Sequence, residues 1–229
     1  LTLDTEGSNH HFLQRLRVME EVPDYTAPIT SQEGAIILNT ELMASENLPT
    51  PTCLKDLADP VYAGQVAVTD IQSSSTAWLL IQALVDAYGE DGAEETLAAI
   101  YDNCGAHIET SGSGPLKLCR AGEVAIGFGL RHQAVADKAD GLPIDYVDPT
   151  EGNFSLTESV AVLDKGEDTN PLAMEMARCI IENGRAELIQ TYPNPLYEGE
   201  TADPAAFRKG SAYLAKFAFA TDVTLCEKY

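Results

Sequence analysis

The feature that most constrains the fold is a series of short apolar runs separated by segments with helical spacing. Three runs stand out, namely Gly34–Asn39 (GAIILN), Gln65–Val68 (QVAV) and Val124–Phe128 (VAIGF). Short runs without polar alternation are typical of strands that are buried on both faces of a sheet. The pattern therefore predicts a sheet that is covered by helices on both sides.

Helices are predicted between these strands. The clearest is Ser75–Tyr88, where apolar residues recur at helical spacing and Gly89 stands at the C-cap position. Further predicted helices are 93–103, 115–120 and 130–139, and further predicted strands are 107–110, 143–147 and 155–163. Strands and helices alternate from Gln65 to Val147, which predicts an α/β lobe with parallel pairing through helical crossovers.

The tail and the start of the chain give weaker patterns. Helices are predicted at 171–183 and 204–220, and a faint helical spacing runs from Phe12 to Val18. The first residues lack the basic start and the apolar core of a secretion signal, and no apolar run is long enough to span a bilayer. The chain is therefore expected to be mature, cytosolic or without its natural start.

The charge balance excludes several classes of partner. With 36 acidic and 14 basic residues, the net charge is −22. Such a surface repels nucleic-acid phosphates and anionic lipid head groups, so no nucleic acid is expected as a partner. An anionic ligand would have to be held at close range by hydrogen-bond donors.

The cysteines and histidines predict neither a metal site nor a cofactor. The five cysteines include no C-x-x-C pair, and no histidine lies at a metal-ligand spacing from them. We expect most of these thiols to be buried as small hydrophobic side chains. No nucleophile elbow, metalloprotease motif, P-loop or dinucleotide-binding motif occurs, so an enzyme is not predicted.

Two loops repeat one arrangement, in which a strand is followed by small hydroxyl-bearing residues and then by a helix start. They are Gln72–Thr76 (QSSST) and Thr110–Gly114 (TSGSG). Free backbone N–H groups at the positive end of a helix bind phosphate or carboxylate groups without a lysine. The alternative interpretation is ordinary helix capping by serine or threonine. The predicted ligand-binding residues in these loops are Ser73, Ser74, Ser75, Thr76, Ser111, Gly112 and Ser113.

Three charged or titratable residues are further candidates. Arg131 and His132 follow the strand that ends near Phe128, where Arg131 offers a bidentate fork to an oxyanion and His132 would make binding depend on pH. The alternative for both is a solvated helix start. Glu151, in the loop DPTEGNFS, is a candidate acceptor for an ammonium group on the ligand.

Six stretches together resemble a known family. The sequence is similar to the iron(III)- and phosphonate-type solute-binding proteins of ABC transporters, which have the class II periplasmic-binding fold. The likeness extends over roughly Tyr25 to Lys165 and rests on GAIILNTE (34–41), LPTPTCLKDLADPVYAGQVAV (48–68), SSSTAW (73–78), SGSGP (111–115), AGEVAIGFG (121–129) and GLPIDYVDPTEG (141–152).

The resemblance implies a two-lobed clamp that closes on its ligand by hinge motion. It implies that residues 1–40 are a partial lobe one with the first hinge strand, that 41–157 are lobe two with the ligand-binding loops, and that 158–229 return to lobe one, mostly as helices. The strands 34–40 and 155–162 would be the hinge crossings. The fold would thus be one complete three-layer α/β lobe with an incomplete second lobe.

Two departures from the family pattern shape the expected function. Only 33 residues precede Gly34, so the chain is expected to be either a truncated form or a protein that lacks the first half of lobe one. A homodimer over the incomplete lobe is one expected outcome. Iron-binding relatives carry adjacent tyrosines after the strand AIG, whereas this chain reads GFGLRHQ. Arg131 therefore favours a phosphonate or a phosphorylated metabolite over ferric iron.

The resulting hypothesis is an extracytoplasmic binding subunit of an ABC importer that captures a small oxyanion-bearing solute in a cleft between its lobes. Its partners would be the anionic ligand and an ABC permease. Its location would be periplasmic or extracellular, with an anchor through a lipoprotein signal upstream. The alternatives are a ferric-iron-binding member of the same family and a sensing or partner-binding module without transport.

Overall fold

The computed structural model describes residues 26–201, together with the backbone of two short strands at Thr2–Leu3 and Ala215–Phe217. The strands are β1 Thr2–Leu3, β2 Ala27–Asn39, β3 Val66–Thr69, β4 Ile108–Glu109, β5 Ile126–Leu130, β6 Ile144–Val147, β7 Asn153–Val160, β8 Leu163–Asp164 and β9 Ala215–Phe217. The helices are α1 Thr40–Ser45, α2 Thr76–Cys104, α3 Gly114–Ala121, α4 Arg131–Ala139, α5 Ala173–Cys179 and α6 Arg185–Thr191. Short 3-10 turns lie at Lys55–Ala58, Pro60–Tyr62 and Gly166–Asp168, and a π turn at Ile180–Gly184 joins α5 to α6.

The described residues divide into two compact units. Residues 26–32 and 157–201 form the first unit, and residues 33–156 form the second. The chain passes from one unit to the other within β2, between residues 32 and 33, and within β7, between residues 156 and 157. The assignment of these strands as hinges stays a prediction.

The strand order β4-β3-β5-β2-β7-β9 defines the main sheet, and β6 also pairs with β2. The pairs β3–β4 and β3–β5 are parallel, whereas β2 runs antiparallel to both β5 and β6. A separate antiparallel pair joins β1 to β8. The predicted mixture of crossover helices and parallel strands is confirmed, and the long antiparallel β2 is an addition to it.

In the second unit, both faces of the sheet are buried. Ile36 and Leu38 of β2 pack with Trp78 and other residues of α2, whereas Ile37 packs on the opposite face with Leu116 of α3. Successive residues of a strand point to opposite faces, so a strand that is covered on both sides must be apolar throughout. This explains the run GAIILN and gives the second unit three layers.

Helix α2 is long but not continuous. At Gly89 the backbone has φ 71° and ψ 173°, which breaks the helix into two segments. Glycine adopts positive φ without the steric cost that a Cβ imposes. The predicted helix end at Gly89 is therefore seen as a kink, after which the second predicted helix continues to Cys104.

The first unit has a small core of its own around one buried ion pair. Ala27, Ile181, Leu196 and Tyr197 form its apolar cluster. Arg185 is 5% exposed and donates to Glu200 Oε1 and Oε2, at 2.8 and 2.7 Å, and to backbone carbonyl oxygens. Burial alone would raise the pKa of Glu200, but the hydrogen bonds from Arg185 and from backbone N–H groups outweigh it and lower that pKa.

Several sequence predictions need correction. The helix predicted over 204–220 is wrong at Ala215–Phe217, which forms β9 in parallel with Asn153–Ser155; its other residues and the stretch Phe12–Val18 lie outside the described residues. β2 begins at Ala27 rather than Gly34. The prediction that most thiols are buried is not confirmed, because Cys104 and Cys119 are buried but Cys53 is half-buried and Cys179 is exposed.

Among the helices of residues 26–201, none combines the length and the apolar character that a bilayer crossing requires.

Candidate functional site

The carboxyl ends of four strands lie along one edge of the sheet in the second unit. β3 is parallel to β4 and β5, and β6 is parallel to β5 because both run antiparallel to β2. The residues that follow these ends are Asp70, Thr110, Arg131 and Asp148. In open α/β sheets this edge is where ligands bind.

The loop after β3 is organised by Asp70. Its carboxylate accepts hydrogen bonds from the Ser73 hydroxyl at 2.5 Å and from the Gln72 N–H at 3.1 Å. These bonds lower the pKa of the Asp70 carboxyl, the Ser73 hydroxyl most. The loop leads into the N-terminus of α2, where Ser73 and Ser75 are exposed, Ser74 is half-buried and Thr76 is buried.

The loop after β4 lies directly against the loop after β3. A Cβ atom on Gly112 would stand 2.1 Å from Thr76 Oγ1 and 3.5 Å from Ser74 Oγ. The two loops therefore touch, and only a glycine allows that approach. A Cβ on Gly129, near the end of β5, would stand 3.6 Å from the Gly112 carbonyl oxygen, which places the end of a third strand beside the same loop.

The N-cap residues of both helices leave backbone donors free. Ser75 precedes α2 and Ser113 precedes α3, and neither side chain makes a capping hydrogen bond. The Ser74 hydroxyl accepts from the Thr76 N–H at 3.3 Å, but among the described residues no acceptor is found for the N–H groups of Ser111, Gly112 and Ser113. The capping interpretation thus accounts for one loop in part and for the other not at all.

Two residues at this edge carry no signal in the sequence. Thr69, the last residue of β3, is 3% exposed, and its hydroxyl has no hydrogen-bond partner within the described part of the chain. Glu109, the last residue of β4, places Oε2 2.7 Å from the position of a Cβ on Gly114, at the N-terminus of α3. Thr69 and Glu109 are neighbours because β3 and β4 pair in parallel with these two residues in register. The residue pattern does not reveal that pairing.

Arg131 begins α4 and is buried, so a solvated helix start does not describe it. Its Nε donates to Asp148 Oδ1 at 3.0 Å, and its guanidinium lies 4.8 Å from the centre of the Tyr146 ring. The side chain is 8% exposed against 26% for Asp148. His132, the next residue, is half-buried.

Glu151 lies apart from the serine loops. Its Oε1 accepts from the Tyr88 hydroxyl at 2.6 Å and from the Lys55 N–H at 3.1 Å. Tyr88 follows Thr76 by twelve positions in α2, which is about 18 Å of helix. The structure therefore gathers Ser73–Thr76, Ser111–Ser113 and Arg131 at one edge of the sheet but does not bring Glu151 to them.

Two residues near Glu151, Tyr88 and Cys53, have raised pKa values. Burial and the hydrogen bond to Glu151 raise the pKa of Tyr88 above its usual range. Burial raises the pKa of the Cys53 thiol to about 11, and the side chain of Asp56 adds to the effect. Among the described residues, no group of three or more His, Cys, Asp and Glu side chains has a metal-binding arrangement.

Comparison with known families matches residues 15–187 to the model of the bacterial extracellular solute-binding proteins. The chain belongs to this family. The predicted resemblance is thereby confirmed, and the solved structures below confirm the predicted class II periplasmic-binding fold. The incomplete lobe one stays a prediction. The family and its solved relatives are binding proteins rather than enzymes.

The chain is also similar to a curated relative and to three solved structures. An uncharacterized protein of Haemophilus influenzae is 33% identical over 127 residues, which are 55% of this chain and 36% of the relative. The periplasmic binding protein AfuA from Actinobacillus pleuropneumoniae, with fructose 6-phosphate bound, is 24% identical with a TM-score of 0.63. That match covers 73% of this chain and 51% of AfuA.

Two further structures share the fold. The periplasmic binding protein P5PA is 17% identical with a TM-score of 0.77, and the match covers 96% of this chain and 78% of P5PA. Iron-bound HitA from Pseudomonas aeruginosa is 18% identical with a TM-score of 0.62, over 90% of this chain and 66% of HitA. The chain thus spans about a third of the Haemophilus relative and half of AfuA.

Proposed function

We propose that this chain is an extracytoplasmic solute-binding subunit of an ABC importer and that it holds a small oxyanion-bearing solute, a phosphonate or a phosphorylated metabolite, at the two serine loops. The observation that carries the proposal is the approach of Gly112 to Thr76 and Ser74. It brings the N-terminal ends of α2 and α3 together.

Two converging helix ends suit an oxyanion for a simple electrostatic reason. Each helix N-terminus carries roughly half a positive charge, together with N–H groups that no intrahelical carbonyl satisfies. The proposed donors are the N–H groups of Ser111, Gly112 and Ser113 and the hydroxyls of Ser74, Thr76 and Ser113, all of which are small and neutral. Neutral donors bind an anion without the large cost of burying a bare positive charge.

The donors act at a different range from the net charge of the chain. A hydrogen bond to a charged group contributes about 1.5–3 kcal/mol and acts only at contact. The repulsion of an anion by a chain with net charge −22 acts over a longer range and is screened by salt. Donors that touch the anion are therefore the way in which this chain would hold it.

Arg131 lies at the same edge of the sheet as the loops, but its guanidinium is paired with a carboxylate. Its Nε is bound to Asp148, so the protein itself orients the side chain and offsets its charge. We propose that the pair stiffens the carboxyl end of β5. Ferric iron is the rival ligand, as in iron-bound HitA, but the residues after β5 are Arg131 and His132 rather than the adjacent tyrosines of the iron-binding pattern.

Titration calorimetry tests the proposed ligand class. The 229-residue chain is titrated with 2-aminoethylphosphonate, fructose 6-phosphate, inorganic phosphate and ferric citrate, from micromolar to millimolar concentrations. The double variant Ser74→Ala/Ser113→Ala removes two hydroxyls at about 0.5–1.5 kcal/mol each, which predicts a loss of about 5- to 150-fold in phosphonate affinity. The control Ser45→Ala/Ser159→Ala changes two exposed serines elsewhere and should keep wild-type affinity.

Two results would refute the ligand class. The first is the absence of heat from every oxyanion across that range, and the second is tight binding of ferric iron with no competition by phosphonate. The import role has a separate test in the neighbouring genes, where a permease and an ATPase support import and a fused signalling segment supports sensing. The ABC permease as partner and a dimer over the first unit stay predictions.

A further inference from the structure

Resting on the proposed function, we infer that Glu109 is a specificity-determining residue of the same pocket. Its carboxylate selects solutes that carry an ammonium group beside the oxyanion, such as aminoalkylphosphonates. The inference rests on one observation: the Glu109 carboxylate accepts no hydrogen bond from the described residues and lies beside the loop Ser111–Ser113, whose N–H groups are free.

The position of Glu109 is unusual for a site that binds anions. Its Cβ, Cγ and Oε2 lie 2.4, 2.7 and 2.7 Å from where a Cβ of Gly114 would stand. The side chain therefore folds over the first residue of α3, and any residue larger than glycine at 114 would displace it. A negative group is thus held beside the N–H groups that are proposed to bind an oxyanion.

Helix capping does not explain this carboxylate. Acidic residues at a helix N-terminus normally accept from the free N–H groups of the first turn. Here the Gly114 N–H donates to the Ser111 carbonyl at 2.9 Å, and Pro115 has no N–H to give. Among residues 26–201, no donor is found for the Glu109 carboxylate.

Thr69 provides an independent observation at the same place. It pairs with Glu109 in the parallel ladder, and alternation along β3 puts its side chain on the face of Ala67, which packs against Leu116 of α3. Its hydroxyl is buried without a partner in the described part of the chain. A buried hydroxyl with no bond is costly, which points to a ligand group that supplies the missing partner.

Together these groups are complementary to a zwitterion. The N–H groups of Ser111–Ser113 would bind the oxyanion, and the Glu109 carboxylate, which has no donor among the described residues, would bind an ammonium group of the same molecule. In 2-aminoethylphosphonate two carbon atoms separate the phosphorus from that nitrogen. Inorganic phosphate or a plain alkylphosphonate would meet the donors but would also meet the carboxylate as a like charge. The site should therefore discriminate by the ammonium group.

A matched pair of ligands isolates this effect. 2-Aminoethylphosphonate and ethylphosphonate differ by the amino group alone, and both are titrated into wild type, Glu109→Gln and Glu109→Asp by calorimetry. Glu123→Gln is the control, because Glu123 is exposed just beyond the other end of α3 and its replacement changes the net charge equally. Thermal unfolding of each variant checks that the fold is retained.

We expect wild type to bind the amino compound at least tenfold tighter than ethylphosphonate. Glu109→Gln should reduce that ratio of affinities at least fivefold, mostly by lowering the affinity for 2-aminoethylphosphonate. Glu109→Asp should give an intermediate ratio. Glu123→Gln should keep the wild-type ratio.

Three results would overturn the inference. They are an unchanged ratio in Glu109→Gln, an equal gain for both ligands, and a wild type that binds both compounds equally. In each of these the proposed function survives. If wild type binds neither these compounds nor phosphate, the proposed function fails and the inference with it.

Discussion

The substitution Gly112→Ala tests directly whether the two serine loops share one pocket. It adds a single methyl group at the point where the loops touch, 2.1 Å from Thr76 Oγ1. An ordinary contact between such atoms begins near 3.4 Å, so one side must move by about 1.3 Å, the difference of the two distances. Because Thr76 is only 6% exposed, its side chain cannot swing into solvent.

The expected cost follows from overpacking at a buried contact. Extra methyl groups in a packed region destabilise proteins by about 1–3 kcal/mol. For a chain of this size each kcal/mol lowers Tm by about 2–4 °C, so Gly112→Ala should lower Tm by about 2–12 °C. Phosphonate affinity should fall at least tenfold, because the shift separates the donors of one loop from those of the other.

A double-mutant cycle with Thr76→Ala assigns the cost to this contact. Removing the Thr76 hydroxyl leaves the Cβ atoms 3.0 Å apart, a much milder conflict. The double variant should therefore recover at least half of the stability that Gly112→Ala loses, as measured by urea unfolding with circular dichroism. Gly184→Ala is the control, because its nearest neighbour, Leu188 Cδ1, would lie 3.8 Å away, and it should leave Tm unchanged or raise it.

Additive costs would refute the reasoning. If the two single changes sum to the double change within about 0.5 kcal/mol, or if Gly112→Ala unfolds like wild type, then the loops do not meet as described. Loss of stability without loss of phosphonate binding would leave the packing correct and remove the shared pocket.

Three further predictions concern other parts of the chain. Tyr88→Phe removes a hydrogen bond to Glu151 and should cost about 1–2 kcal/mol of unfolding free energy while phosphonate titrations stay unchanged; a loss of affinity would bring Glu151 back into the site. The lowered pKa of Glu200 means that its bonds with Arg185 stabilise the fold above the usual value of 4.5 and that this contribution is lost as pH falls through the folded-state pKa. Glu200→Gln should therefore flatten the acid limb of a plot of Tm against pH, and an unchanged slope would contradict the ion pair. Native-state alkylation read by peptide mass spectrometry should label Cys179 while two buried thiols, whose pKa burial raises to about 12, stay protected: Cys104 and Cys119.

The sequence allowed the second unit to be predicted well because its strands are buried on both faces. Runs such as GAIILN and QVAV are apolar at every position, so neither the register nor the partner strand needs to be known to recognise them. The start of β2 at Ala27 was missed because Pro28 and the polar residues up to Glu33 give no apolar run. β9 was missed because its strand form depends on pairing with Asn153–Ser155, far away in the chain.

The candidate site was predictable where local pattern decides it. Hydroxyl-rich loops between a strand end and a helix start identify Ser73–Thr76 and Ser111–Ser113, whereas the contact of Gly112 with Thr76 depends on which strands are neighbours. Glu109 and Thr69 could not be found for the same reason, since only parallel pairing of β3 with β4 places them together. Glu151 contacts Tyr88, twelve residues into α2 from Thr76, and the sequence alone does not show that contact.

The most direct measurement of the central claim is an amide chemical-shift titration of the ¹⁵N-labelled chain with 2-aminoethylphosphonate. If an oxyanion is held by main-chain donors of both loops, the N–H signals of Gly112, Ser113 and Ser75 should move downfield together along one binding curve. Amide signals elsewhere in the second unit, such as that of Glu123, should keep the chemical shifts that they have without ligand. A ligand that binds while these loop amides do not move, or that moves the amides of one loop alone, would contradict the account.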